Sequence, residues 1–131
     1  MSLITTPISH GELLDKITIL EIKAAHIVDA AKLANVRTEL DLLNRTWAAD
    51  AAAKVDLGDA RERLKAVNQK LWDVEDDIRL KEKAQTFDAE FIALARAVYF
   101  INDDRAAIKR EINVKLGSAL IEEKSYQNYK A

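Results

Sequence analysis

Leu57, Leu64, Leu71 and Ile78 recur at intervals of seven, with Val67 and Val74 between them. Apolar residues at that period specify a helix with one continuous apolar edge. The edge runs over roughly 27 residues, about 40 Å of helix. A helix that long cannot hide its own seam, so the rest of the chain must cover it. Only three Gly and one Pro occur in 131 residues, which leaves few forced breaks and makes the composition helical.

The other segments follow from caps and periodicity. Residues 1–8 form an extended lead-in ending just past Pro7. Ser9 and Glu12 stand at capping-box spacing, and Ile8 and Leu13 at staple spacing, so a helix starts there. Leu13, Ile17, Leu20, Ala24 and Ile27 continue it. Asp29 caps a second helix or marks a bend in one long helix. Leu33, Val36, Leu40, Leu43 and Trp47 then repeat at threes and fours. The period fails over residues 48–58, the first connection. QTFDAE makes the next turn, with Thr86 or Asp88 as cap. Phe91, Leu94, Val98, Ile101, Ile108, Ile112 and Leu116 carry the last helix to Gly117, and residues 118–131 form a tail. The expectation is an all-α, antiparallel helical hairpin bundle in one domain, 1–131. A second copy of the chain supplies the remaining cover, making a homodimer.

Bulk properties restrict the function. The formal charge is −2, so no basic field exists to hold a nucleic-acid backbone. No cysteine is present, which excludes disulfides and thiolate metal sites and fits a cytoplasmic protein. The first dozen residues lack the basic and apolar regions of a signal peptide. No apolar run is long enough to span a bilayer, so no membrane partner is expected.

LWDVEDDIRLKE, residues 71–82, carries five acidic and two basic groups, and a helical wheel sorts them. From Leu64 as origin, Glu82 falls almost at zero, Glu75 about 20° away and Asn68 about 40° away. With Arg61 they form a polar column beside the leucines. Asp73 and Asp77 point away, and Asp76 lies on the flank. From Phe91 as origin, Lys109 lies at zero, Asn102 about 20° off, and Arg105 and Asn113 about 40° off. Asp103 and Asp104 face elsewhere. Glu21 falls between Leu14 and Ile17 on the first helix. In a hairpin closing near residue 87, Glu75 is level with Asn102, and Asn68 with Arg105.

One polar group in a seam usually sets register. Eight of them, Glu21, Asn68, Glu75, Glu82, Asn102, Arg105, Lys109 and Asn113, make either a structural network or a polar pocket between helices. In the pocket, Arg105 and Lys109 hold an anion, Asn102 and Asn113 orient it, and Glu75 and Glu82 bind hydroxyls or the cations. An enzyme using Glu75 as acid or base, isomerase-like, lyase-like or a Mg-dependent nucleotide hydrolase, is the alternative. An interaction module with a purely structural seam is the other. A di-iron site needs Glu-x-x-His on two helices, and neither His10 nor His26 supplies it. Mg²⁺ on carboxylates with a phosphate is conceivable, but Glu75 has no E-x-x-E partner; no resident metal or cofactor is expected. The seam also looks like those of all-helical chorismate mutases, although the order of basic residues differs. Nucleophilic triads and Gly-rich phosphate loops are absent. His10 reads as a surface residue, Trp47 and Trp72 as packing. Tyr126 and Tyr129 cover the pocket or a partner chain, or belong to a frayed tail.

GELLDKITILEIK (11–23), LWDVEDDIRLKE (71–82), and ARAVYFINDDRAAIKREIN through EEKSY (95–126) resemble a bacterial family of small all-helical proteins, a domain of unknown function. The resemblance covers nearly the whole chain and implies no established activity or catalytic residue. Such proteins look associated with glycosyltransferase and surface-polysaccharide contexts. The anionic ligand expected is accordingly a sugar phosphate or nucleotide sugar.

Overall fold

The computed structural model describes residues 2–130: four α-helices and, among these residues, no strand. They are α1 (His10–His26), α2 (Ala30–Ala49), α3 (Ala60–Lys83) and α4 (Ala89–Lys115), with a 3₁₀ turn at Ala51–Lys54. Among the described residues no helix is long and apolar enough to cross a membrane.

Each boundary has a local cause. The Ser9 hydroxyl accepts from the Glu12 amide at 3.1 Å, half of the expected capping box. The other half is missing because the Glu12 carboxylate is held by Lys109 at 2.6 Å. The choice at Asp29 resolves as two helices: Ile27 is extended, and the Asp29 carboxylate caps α2 on the Lys32 amide at 2.9 Å. Asp88, not Thr86, caps α4 through the Phe91 amide. α3 and α4 both end in the same hydrogen-bonded motif. Thr86 donates to the Lys81 carbonyl and Ser118 to the Asn113 carbonyl, across Gln85 and Gly117 at positive φ.

α1 is the shared element, packing against α2, α3 and α4. Its buried positions, from Leu20 through Leu14 to Asp15, span about 220° of its circumference, far wider than the stripe of a surface helix. Leu14, Ile17, Leu64 and Ile112 are fully buried together at the centre, each contributing about 1.5–3 kcal/mol by burial. Trp47, near the end of α2, closes this core beside His10. Arg63 and Glu111 pair near one end of α3 and α4, while Lys81 meets Asp88 and Glu90 at the other.

Length decides what α1 can cover. Its 17 residues give about 26 Å of axis, against about 36 Å for the 24 residues of α3 and about 40 Å for the 27 of α4. Beyond Trp72 the seam therefore has only α4 against it. The polar column grades accordingly: Asn68 is buried, Glu75 half-buried and Glu82 exposed. The expected inward placement of Glu82 in a polar pocket is thus corrected: it is exposed.

The first turn of α1 lies directly against α4 at Gly11. A Cβ at Gly11 would stand 2.6 Å from the Lys109 carbonyl and 2.9 Å from Asn113 Oδ1. Neither can yield cheaply, one being backbone and the other hydrogen-bonded and buried. Gly11→Ala should therefore cost about 2–3 kcal/mol despite the better helix propensity of alanine, read as a fall in the denaturation midpoint. A neutral or stabilised variant would show that α1 slides freely along α4.

Candidate functional site

Gly11, Asp15 and Thr18 make α1 polar on the side that meets α3 and α4. The Gly11 amide donates to Asn113 Oδ1 at 2.6 Å, and the His10 amide lies 3.4 Å from the Ser118 hydroxyl. These and the Ser9 cap satisfy amides at the start of α1 that no helical carbonyl can reach. One turn on, Asn68 Nδ2 donates to Asp15 Oδ1 at 2.9 Å and to Thr18 Oγ1 at 3.1 Å. Thr18 passes its own proton to the Asp15 carbonyl oxygen. Asn68 is 4% exposed and its Oδ1 finds no donor among the described residues.

Lys109 is the electrostatic centre. Its ammonium lies 2.6 Å from Glu12, 3.2 Å from Glu122 and 3.9 Å from Asp15. Burial alone would lower its pKa, but hydrogen bonding to Glu12 and the charges of Asp15 and Glu12 hold it above the ordinary 10.5. Glu12 shows the mirror image: burial alone would raise it, yet Lys109 holds it below 4.5. The cation that gathers these carboxylates is an ammonium. Among the described residues no group of three His, Asp or Glu side chains is placed to hold a metal ion.

Two clefts flank α4. The larger, about 640 Å³, lies between α4 and the extended tail, which runs back along the helix. Glu122 and Glu123 reach Lys109 and Arg110, Lys124 reaches Asp103 at 3.1 Å, and Tyr129 packs on Tyr99 and Phe100. The Tyr129 hydroxyl donates to Asp103, which pushes that phenol up to about 12 and the Asp103 carboxyl down. The smaller cleft, about 370 Å³, lies among α1, α3 and α4 and is lined by Asn68, Trp72, Glu75 and Arg79. Arg105 lines both.

Of the expected site residues, Asn68, Glu75 and Arg105 share the smaller cleft, and Asn102, Arg105, Lys109 and Asn113 the larger. Glu21 stands at the edge, 3.8 Å from Lys65 and 4.0 Å from Arg61, while exposed Glu82 lines neither cleft. Cross-helix pairing of Glu75 with Asn102 is replaced by pairing with Arg79 on its own helix, and Asn68 turns to α1 instead of Arg105. Asn113 and Lys109 are engaged within the fold. Asp103, expected to face away, lines the larger cleft because the tail folds over it. Half-buried His10 lies 3.4 Å from Asp50 and is no plain surface residue. Asp15 and Thr18 escaped the sequence reading because α1 has neighbours on three sides, so its polar contacts fall outside any single stripe.

Helices and clefts together define a small all-helical protein with one cleft among α1, α3 and α4 and another between α4 and the tail. The chain belongs to the family of unknown function DUF6165, whose sequence profile matches residues 4–130. No curated protein and no solved structure matches it.

Removing the Lys109 charge leaves Asp15 without a cation among the described residues and Glu12 with only Lys16, 3.6 Å away and half-exposed. Lys109→Met should cost about 2–3 kcal/mol, below the full buried-pair value because Glu12 is a quarter exposed. The pH dependence follows from the two shifts. Glu12, with its folded pKa depressed, stabilises above 4.5, and that contribution is lost as pH falls through the folded value. Lys109, with its folded pKa raised, stabilises below 10.5 and loses this as pH rises through the folded value. Denaturation of both chains across pH should therefore give a gap widest between these limits and shrinking at either end. A gap independent of pH would mean that Lys109 acts through packing of its stem alone.

Proposed function

We propose that this protein binds an anionic small molecule, of the sugar-phosphate or nucleotide-sugar type, in the polar seam between α1, α3 and α4, with Arg105 as its anchor. One observation carries the reading. Of the cations lining the clefts, Lys109 meets Glu12, Asp15 and Glu122, Arg110 meets Glu123, Lys124 meets Asp103 and Arg79 meets Glu75. Half-buried Arg105 has no ion pair or hydrogen bond among the described residues, yet it borders both clefts. A guanidinium partly removed from water and left unpaired is costly to the fold and favourable for an incoming anion. Asn102, whose Oδ1 is buried without a donor, stands on the same cleft wall.

Thermal shift against sugar phosphates, nucleotide sugars, nucleotides with Mg²⁺ and small dicarboxylates tests this directly. A ligand at a hundred times its dissociation constant stabilises by about 2.7 kcal/mol. Arg105→Met should abolish the shift while leaving the free protein as stable as before or more so, since no ion pair is lost and the cost of the half-buried charge is removed. Silence of the wild-type chain across the panel, or a shift that survives in Arg105→Met, would refute the assignment.

A second reading has its own support. Past the end of α1, the arm formed by α3 and α4 exposes Leu80, Phe87 and Ile92 by half or more of their surface. We propose that α1–α2 and α3–α4 act as antiparallel hairpins and that a second copy covers this arm, giving a cytoplasmic homodimer; clustered apolar exposure favours such burial. Sedimentation should give a dimer for the wild-type chain and a monomer for Ile92→Lys. A monomer for both would remove the dimer and leave the anion site untouched.

A further inference from the structure

The unmet hydrogen-bonding capacity around Arg105 says more than that an anion is wanted. On the α3 side stands Asn68, nine-tenths buried and more, with both its orientation and its amide protons fixed by Asp15 and Thr18. Turning the amide over would point Nδ2 into the cleft and set Oδ1 against two acceptors, Asp15 Oδ1 and Thr18 Oγ1, whose own proton goes to Asp15. The acceptor therefore keeps its place in a residue that lines the smaller cleft, and it has no donor among the described residues. On the tail side stands Asn102 Oδ1, also buried and also without a donor. Arg105, a cation without an anion among the described residues, thus shares one cleft with each of two neutral acceptors that lack donors there. A bare anion satisfies only the first of these three groups.

Resting on the reading that Arg105 anchors an anion, we infer that the ligand is a polyhydroxylated molecule with a single anionic group, a sugar monophosphate or a sugar acid, its hydroxyls donating to Asn68 Oδ1. The remaining walls agree. Glu75, already paired with Arg79, and Asp76 line the smaller cleft and repel a second anionic group, which disfavours dicarboxylates and diphosphates there. Glu75 offers further acceptor capacity to hydroxyls. Trp72, stacked on His26 at 5.4 Å between ring centres, lines the cleft with an apolar surface suited to the C–H groups of a sugar ring. A site built around buried acceptors discriminates against an analogue that lacks the matching donor, because binding then seals the acceptor off unpaired.

The experiment compares glucose 6-phosphate and gluconate with propyl phosphate and inorganic phosphate, using melting shift and Trp72 emission on the intact chain. Trp47, in the core, supplies a constant background, and Trp72→Phe identifies the responding indole. The two hydroxylated probes separate a phosphate from a carboxylate as the anchored group. At least one should bind ten times or more tighter than both phosphates without hydroxyls, with a change in Trp72 emission. Arg105→Met should abolish the binding, and Asn68→Ala should reduce it to the level of propyl phosphate. Equal binding of hydroxylated and plain phosphates, lost in Arg105→Met, would overturn the hydroxyl inference and leave the anion anchor standing. No binding of any probe, or binding that survives Arg105→Met, would overturn both. Asn68→Ala removes two hydrogen bonds within the fold; if it does not fold, the wild-type affinity ratio read on Trp72 decides the matter.

Discussion

Gly11 and Lys109 meet where the first turn of α1 lies backbone to backbone against α4, and the rest of the structure takes its register from that contact. The absence of a Cβ lets the Gly11 amide reach Asn113, and the adjoining Glu12 carboxylate reaches Lys109. With that end fixed, the 17 residues of α1 cover α3 only as far as Trp72. The boundary between a packed core and a protruding arm is thus set by one glycine and the number of residues before Ile27. The clefts follow too. The smaller one opens at the edge of α1 near Ile19, where α3 and α4 continue without it.

The same geometry explains what the sequence could and could not reveal. Caps are short-range hydrogen bonds between residues three apart, so Ser9 was readable at once, and Asp29 and Asp88 each as one of two alternatives. The inward position of Asn68, Lys109 and Asn113 was readable because α3 and α4 each have a dominant buried side near the core. Glu82 misled because a wheel has no axial coordinate: its angle is right, but its distance along α3 puts it beyond the covering helix. Asp15 and Thr18 were hidden for the opposite reason, since a central helix is buried over most of its circumference and no stripe marks its functional side. Asp103 was misplaced because its neighbour is the tail, an extended segment with no periodicity to announce where it lies.

Arg105 and Lys109 illustrate how identical angular arguments end in different chemistry. They are four residues apart on α4, one helical turn, and the wheel assigns both to one binding role. Lys109 sits level with the first turns of α1, where Glu12 and Asp15 converge, and the start of the tail adds Glu122. An ion so enclosed would have to surrender these partners before accepting a ligand, and its removal is felt as lost stability. One turn along, α1 presents Thr18 and Ile19 in place of carboxylates, and Asn68 of α3 is committed to α1. Arg105 is left with the cost of partial burial and no compensation from the protein.

The two clefts differ in the same way. The tail-side cleft is larger, but its walls are largely self-satisfied: Asp103 accepts from Lys124 and Tyr129, and Arg110 and Lys109 hold Glu123 and Glu122. Its volume depends on exposed ion pairs, each worth about 0–1 kcal/mol, so it opens and closes at little cost. The smaller cleft is framed by helices that the core holds in place and is lined by Asn68, whose buried Oδ1 has no donor among the described residues. Affinity comes from interactions the protein has already organised and cannot satisfy by itself. By that criterion the smaller space at Arg105, and not the larger one beneath the tail, is where a ligand gains most.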